Sequence, residues 1–122
     1  MLDKVLEFHK AFNLAINEAP SEGLLSLRLK LIEEEYNEVR NEFSQETVDL
    51  VNLTSELADL LYVIMGAAVS LGLPINEVYN EIHRANMSKL GLDGKPIYRE
   101  DGKVLKGPSF RPANVREFFI QD

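Results

Sequence analysis

The chain has 122 residues, 45% of them hydrophobic and 27% charged, the composition of one globular domain with enough apolar side chains to bury a sizeable core. It holds no cysteine, which excludes disulfides, thiolate metal sites and cysteine nucleophiles. Its net charge of −7 argues against a nucleic-acid partner, which needs a basic face, but leaves room for an anionic small molecule bridged to acidic side chains by a metal ion.

The opening Met1-Leu2-Asp3-Lys4-Val5-Leu6-Glu7 is charged and amphipathic, unlike a secretory leader, and the expected location is the cytoplasm. Apolar residues at Val5, Leu6, Phe8, Phe12, Ala15 and Ile16 predict a first helix from Asp3 to about Ala19. Pro20-Ser21-Glu22-Gly23 breaks it, and Ser21 is placed to cap a second helix from about Leu24 to Phe43. Leu24, Leu27, Leu31, Tyr36, Val39 and Phe43 point partly inward on it. After a short polar break, a third helix is expected from Glu46 or Thr47 to Leu71. Its stripe of Leu53, Leu57, Leu60, Ile64, Ala67 and Leu71 has the spacing of a bundle seam.

The longest apolar run, Leu57 to Leu73, carries Asp59 and falls short of the roughly 20 residues that span a bilayer, so it reads as a core helix without a membrane partner. Gly72 and Pro74 supply a stop. A fourth helix should run from Ile75 or Asn76 to near Leu90-Gly91. Gly91 to Pro112 then holds four glycines and three prolines, too many for a helix. Within it, Ile97-Tyr98-Arg99-Glu100 and Lys103-Val104-Leu105-Lys106 flank Asp101-Gly102, a hairpin signal. Asn114 reads as the cap of a last helical turn carrying Phe118 and Phe119, which are expected to dock on the bundle or on a partner subunit. The expectation is therefore a single all-α domain: a four-helix bundle over about residues 3–90, then a glycine-rich, basic arm over about 91–122 with a small hairpin.

The chemistry concentrates in the acids. On a helix turning about 100° per residue, Glu35 and Glu38 project within about 60° of each other, and so do Glu56 and Asp59. If the chain reverses between Phe43 and Thr47, Glu35 and Glu56 lie about equally far from the turn, and four carboxylates converge between two antiparallel helices. The plain alternative for Glu33-Glu34-Glu35, Glu38 and Glu42 is a solvated helix face. Against it, Arg40 is the only basic residue between Lys30 and His83, and Asp59 sits in an apolar helix where an unpaired carboxylate is costly. A metal ion among these oxygens resolves both difficulties, and hard oxygen donors suit Mg²⁺, with Mn²⁺ as a substitute. Di-iron sites of helical bundles want Glu-x-x-His pairs, and neither His9 nor His83 follows a glutamate by three residues. No twelve-residue calcium loop is present.

A second group, His83-Arg84-Ala85-Asn86-Met87-Ser88-Lys89, puts Asn86 and Lys89 on one helix face. By itself it is ordinary helix C-terminal chemistry. Followed by Lys95, Arg99, Lys103, Lys106 and Arg111, it forms a basic stretch suited to phosphate oxygens. His9 reads as a partly buried structural histidine and not a catalytic one, and Phe8 and Phe12 read as core. There is no phosphate-cradling Gly-x-x-x-x-Gly-Lys-Ser/Thr loop, dinucleotide Gly-x-Gly-x-x-Gly loop or Gly-x-Ser-x-Gly elbow.

Glu34-Glu35-x-x-Glu38 followed by Glu56-x-x-Asp59 resembles the MazG-like all-α nucleoside triphosphate pyrophosphohydrolases, a superfamily that includes dimeric dUTPases and phosphoribosyl-ATP pyrophosphohydrolases. The likeness extends to Val5-Leu6-Glu7-Phe8-His9-Lys10-Ala11-Phe12, to Arg28-Leu29-Lys30-Leu31-Ile32 before the acids, to Ala58-Asp59-Leu60-Leu61-Tyr62-Val63 and to the His83–Lys89 segment. In the arm, Asp93-Gly94-Lys95-Pro96 and Asp101 to Pro108 point to the small single-domain branch. The resemblance implies cleavage of a nucleoside triphosphate between its α- and β-phosphates, giving monophosphate and pyrophosphate. It implies Glu35, Glu38, Glu56 and Asp59 as metal ligands, with Glu34 as a further ligand or the group that orients the attacking water. It places Asn86 and Lys89 at phosphate-contacting positions, with Lys103 and Lys106 as weaker candidates. Apolar helix faces and the Phe118-Phe119 end add the expectation of a homodimer or homotetramer. Two alternatives stand beside this reading: the same reaction on phosphoribosyl-ATP, and a helical interaction module in which metal only staples two helices.

Overall fold

In the computed structural model, which describes residues 1–119, the chain is all-α: α1 (Leu2–Ala11), α2 (Glu22–Phe43), α3 (Leu50–Leu71) and α4 (Ile75–Met87), with a closing 3₁₀ turn at Arg116–Phe119. It separates into two compact units, Met1–Leu73 and the chain from Pro74 on.

The first unit is built on the α2–α3 hairpin, with α1 packed against α3. Val5, Val39, Ala68 and Val69 form its buried apolar centre. α2 starts where the Ser21 hydroxyl accepts from Leu24 N at 3.2 Å, the cap that the sequence predicts. It ends at Ser44, whose Oγ donates to the Arg40 carbonyl at 2.8 Å. α3 begins at Leu50, later than Glu46 or Thr47, because Asp49 caps it: Oδ1 accepts from Val51 N at 2.9 Å and Asn52 N at 3.2 Å. Gly72 closes α3 in the left-handed region at φ 66°, and Leu73 N returns to the Ala68 carbonyl at 2.9 Å.

At 22 residues, α3 is long and apolar enough by composition to cross a membrane, longer than the apolar run legible in the sequence. α1 and α2 pack against it but bury only 28% of that apolar stretch, and it carries Glu56 and Asp59.

α1 is shorter than the predicted Asp3–Ala19. Asn13 and Asn17 adopt positive φ (56° and 50°), which asparagine tolerates and a continuing helix does not. The segment after Ala11 runs instead beside the end of α3, where Asn17 N and Glu18 N donate to the Val69 and Ser70 carbonyls at 3.0 and 2.8 Å. Phe8 and Phe12, expected in the core, are 38% and 64% exposed.

In the second unit, α4 ends at Met87, three residues before the predicted Leu90. Ser88 takes over there: its Oγ donates to the Ala85 carbonyl at 2.6 Å and accepts from Arg111 N at 3.0 Å. The predicted hairpin is reduced to a single antiparallel bridge, Tyr98 with Val104. Its turn places Gly102 at φ 87° with Gly102 N on the Arg99 carbonyl at 2.9 Å, a three-residue loop rather than a two-residue one. Among the described residues the Asn114 side chain caps no turn; its backbone N–H donates to Glu81 Oε2 at 2.8 Å. Phe118 is half-buried over a shallow cavity with Glu77, Asn80 and Glu81, while Phe119 is exposed.

Candidate active site

The α2–α3 hairpin brings Glu35, Glu38 and Glu56 together, so that one carboxylate oxygen from each lies within 4.8 Å of the other two. The i, i+3 spacing on α2 supplies two of them, and the reversal over residues 44–49 brings Glu56 alongside. Asp59 stands outside this closest triple. Its charge nevertheless acts on both Glu35 and Glu56, and it lines a cavity with Glu35. Glu34 is exposed, and its charge also reaches Glu35.

The electrostatics are those of an incompletely neutralised site. Burial, then the charges of Glu38, Asp59 and Glu34, push the Glu35 carboxyl above its usual range. Glu56 is pushed up to about 7, chiefly by a hydrogen bond with Glu38, then by burial and by the Glu38, Asp59 and Glu35 charges. Glu35 Oε2 and Glu56 Oε2 are buried with no hydrogen-bond partner. Buried acceptors without donors are costly. A divalent cation would satisfy these orphaned oxygens and offset the repulsion, so the donor set fits a hard metal ion.

Asn86, Lys89, Lys103 and Lys106 belong to the second unit. Asn86, Lys103 and Lys106 are exposed and Lys89 is half-buried. The Lys89 carbonyl accepts from Gly107 N at 2.8 Å, which ties the arm to the end of α4. Lys106 Nζ lies 4.9 Å from the centre of the Phe110 ring.

Sequence reasoning passed over Arg28. It is 6% exposed, its Nε is buried without a partner, and it lines the same cavity as Glu35 and Asp59. The available signal was its spacing: Arg28 precedes Glu35 by two helical turns and therefore shares its face. His9 is buried, as expected, with Nδ1 2.9 Å from the Ala15 carbonyl.

Glu35, Glu38 and Glu56 meeting on a helical hairpin, with Asp59 alongside, are what the likeness to the all-α nucleotide pyrophosphohydrolases implies. The chain matches the phosphoribosyl-ATP pyrophosphohydrolase family over residues 5–86, which spans all four acids, and it belongs to that family. Among solved structures it is similar to a protein from Exiguobacterium sp. 255-15, provisionally described as an NTP pyrophosphohydrolase, at 29% identity and a TM-score of 0.49. That alignment covers 91% of this chain and 66% of the other, just under two thirds of its length. No curated protein matches the chain at a significant level.

Proposed function

We propose that the protein is a Mg²⁺-dependent pyrophosphohydrolase that cleaves (deoxy)nucleoside triphosphates between the α- and β-phosphates, releasing monophosphate and pyrophosphate in nucleotide-pool housekeeping. The observation that carries this reading is the convergence of Glu35, Glu38 and Glu56 with two orphaned oxygens. These three residues, with Asp59 alongside, would hold the ion. When bound, it neutralises phosphate charge and acidifies a coordinated water. Mn²⁺, with the same preference for oxygen donors, is the expected substitute.

The chain's own residues supply the rest. Glu34, exposed beside the cluster, is assigned to orient the attacking water by accepting its hydrogen bond. The water oxygen bonds to the α-phosphorus as the bridging oxygen leaves with pyrophosphate. Asn86 and Lys89 are assigned to the phosphate oxygens, with Lys103 and Lys106 as secondary contacts through charge-assisted hydrogen bonds. No nucleophilic side chain is required.

The specific family match favours a second reading, the same cleavage on phosphoribosyl-ATP. Self-association into a dimer or tetramer is also proposed, supported by exposed Leu25, Leu29, Leu50, Val51 and Leu61 on α2 and α3. The deciding experiment measures pyrophosphate and monophosphate release with Mg²⁺ across canonical and modified NTPs, dNTPs and phosphoribosyl-ATP. Turnover of one or more triphosphates supports the first reading. Turnover of phosphoribosyl-ATP alone replaces it with the second, and silence across the panel with Mg²⁺ bound rejects both.

A further inference from the structure

The first unit holds a half-open cavity of about 420 Å³ lined from α1, α2 and α3. Most of its wall is apolar or aromatic, including Phe8, Leu31, Tyr62 and Val63, and Glu35 and Asp59 make it continuous with the acid cluster. The Phe8 and Tyr62 rings meet edge to face at 5.7 Å and 88°, with Phe12 packed on Phe8 at 4.5 Å. Two buried polar side chains complete the wall, Arg28 and His9.

Arg28 is the anomaly. A guanidinium that is 6% exposed, with its Nε orphaned and no ion pair among the described residues, is far from a stable resting arrangement for a buried charge. It has donors and no acceptors, so whatever it meets must accept. His9 offers the complement. The Ala15 carbonyl can only accept, so Nδ1 carries the hydrogen, and in the neutral ring Nε2 is left as an acceptor. Both groups meet at Gly66: a Cβ there would lie 2.9 Å from Arg28 Nη1 and 3.4 Å from His9 Nε2. The absence of a side chain at Gly66 is what lets the guanidinium and the imidazole share that position.

Apolar faces with a donor and an acceptor side by side describe the surroundings of a flat heterocycle read along one edge. Phosphate would be poorly placed among these hydrocarbon walls, and an aliphatic ligand would leave Arg28 unpaired. We propose, resting on the nucleotide reading above, that this cavity takes the substrate's nucleobase, with Arg28 donating to an exocyclic carbonyl and His9 Nε2 accepting from the adjacent ring N–H. Uracil, thymine, guanine and hypoxanthine present that pair. In cytosine and adenine an amino group stands where the carbonyl would be and the adjacent ring nitrogen carries no hydrogen, so donor faces donor at Arg28 and acceptor faces acceptor at His9.

The test is calorimetric binding of dUMP, dGMP, dCMP and dAMP to the full chain with Mg²⁺, run beside kcat/KM for the four triphosphates. The oxo bases should bind about 10- to 100-fold more tightly than the amino bases, the range of one well-placed arginine–base contact. In Arg28→Met that ratio should fall several-fold, to the smaller preference that His9 Nε2 alone supplies. Gly66→Ala should weaken all four ligands by displacing the guanidinium.

A measurement on the unaltered protein keeps the test sound if these variants misfold: the Arg28 Nε–H resonance should shift and gain protection from exchange with dUMP or dGMP. Equal binding of the four bases, a preference undiminished in Arg28→Met, or an Nε–H unmoved by bound dUMP overturns the proposal. Equal turnover of all triphosphates keeps the reaction and removes the base reading. A base preference in binding without any turnover does the reverse.

Discussion

Glu38 on α2 and Glu56 on α3 bring carboxylate oxygens within 4.8 Å of each other across the helical hairpin, where two charged carboxylates repel. Such a contact needs a proton or a cation between its oxygens. Replacing Glu38 with glutamine removes one charge and supplies a permanent donor to Glu56. Glu38→Gln should therefore raise the thermal midpoint of the metal-free protein while lowering Mg²⁺-dependent turnover by about 100-fold or more, since even outer-shell changes at metal sites cost 10- to 100-fold. Thermal melts followed by circular dichroism, beside pyrophosphate release, check both halves. A variant that loses stability and activity together would return the acids to a purely structural role.

The same pair sets a pH dependence. The Glu56 value in the folded chain, about 7, lies above its ordinary 4.5, so the folded state holds the proton more tightly than the unfolded one. Its contribution to stability is complete below about 4.5 and is lost as pH rises through about 7. The metal-free protein should melt at a lower temperature at pH 8 than at pH 5. Mg²⁺ must displace that proton, so its stabilising effect should grow over the same interval. Melting curves at several pH values, with EDTA and with Mg²⁺, measure the two trends, and in Glu56→Gln the metal-free slope should flatten.

The start of α3 offers a test of how the hairpin is registered. Asp49 Oδ1 bonds the first free amides of the helix, and these bonds fix where Glu56 begins its approach to α2. Asp49→Ala should cost about 1 kcal/mol in urea unfolding, the usual cost of a lost cap. Thr47→Ala, one residue into the region where the sequence predicted the helix to begin, should stay within about 0.5 kcal/mol of the parent.

These positions show what was legible in the sequence. The meeting of Glu35 and Glu38 with Glu56 could be read because helical spacing and one short reversal are local facts. Asp59, expected to be buried, is instead exposed and outside the closest triple. The Ser21 cap and the Gly72 stop are local too. The end of α1 could not be read from apolar spacing, since Ala15 and Ile16 continue the pattern while Asn13 turns the backbone out of it. Phe8 and Phe12 looked like core for the same reason: period places a side chain on a face but does not say what covers that face. Arg28 was hidden in a lead-in of leucines, because its significance lies in what fails to pair with it once three helices close around it.

The second unit is held by side chains far apart in sequence. Arg84 donates to both oxygens of Glu81, at 2.5 and 3.0 Å, and to the carbonyls of Arg111 and Pro112 at 3.3 and 3.2 Å. Glu81 in turn accepts from Asn114 N. The Arg84 guanidinium, with help from the Asn114 amide, holds the Glu81 carboxyl down at about 2. That contribution is therefore full above about 4.5 and is lost only as pH falls toward 2. Arg84→Met removes three of these partners at once and leaves α4 itself without a packing defect, because the side chain is 45% exposed. The arm should then open locally while the first unit keeps its stability. Amide hydrogen exchange at Arg111 and Asn114 should accelerate on the order of tenfold, with Val39 and Val69 unchanged. Equal acceleration at Val69 would mean that Arg84 supports the whole chain, and no change at Asn114 would mean that Glu81 alone suffices to hold the arm.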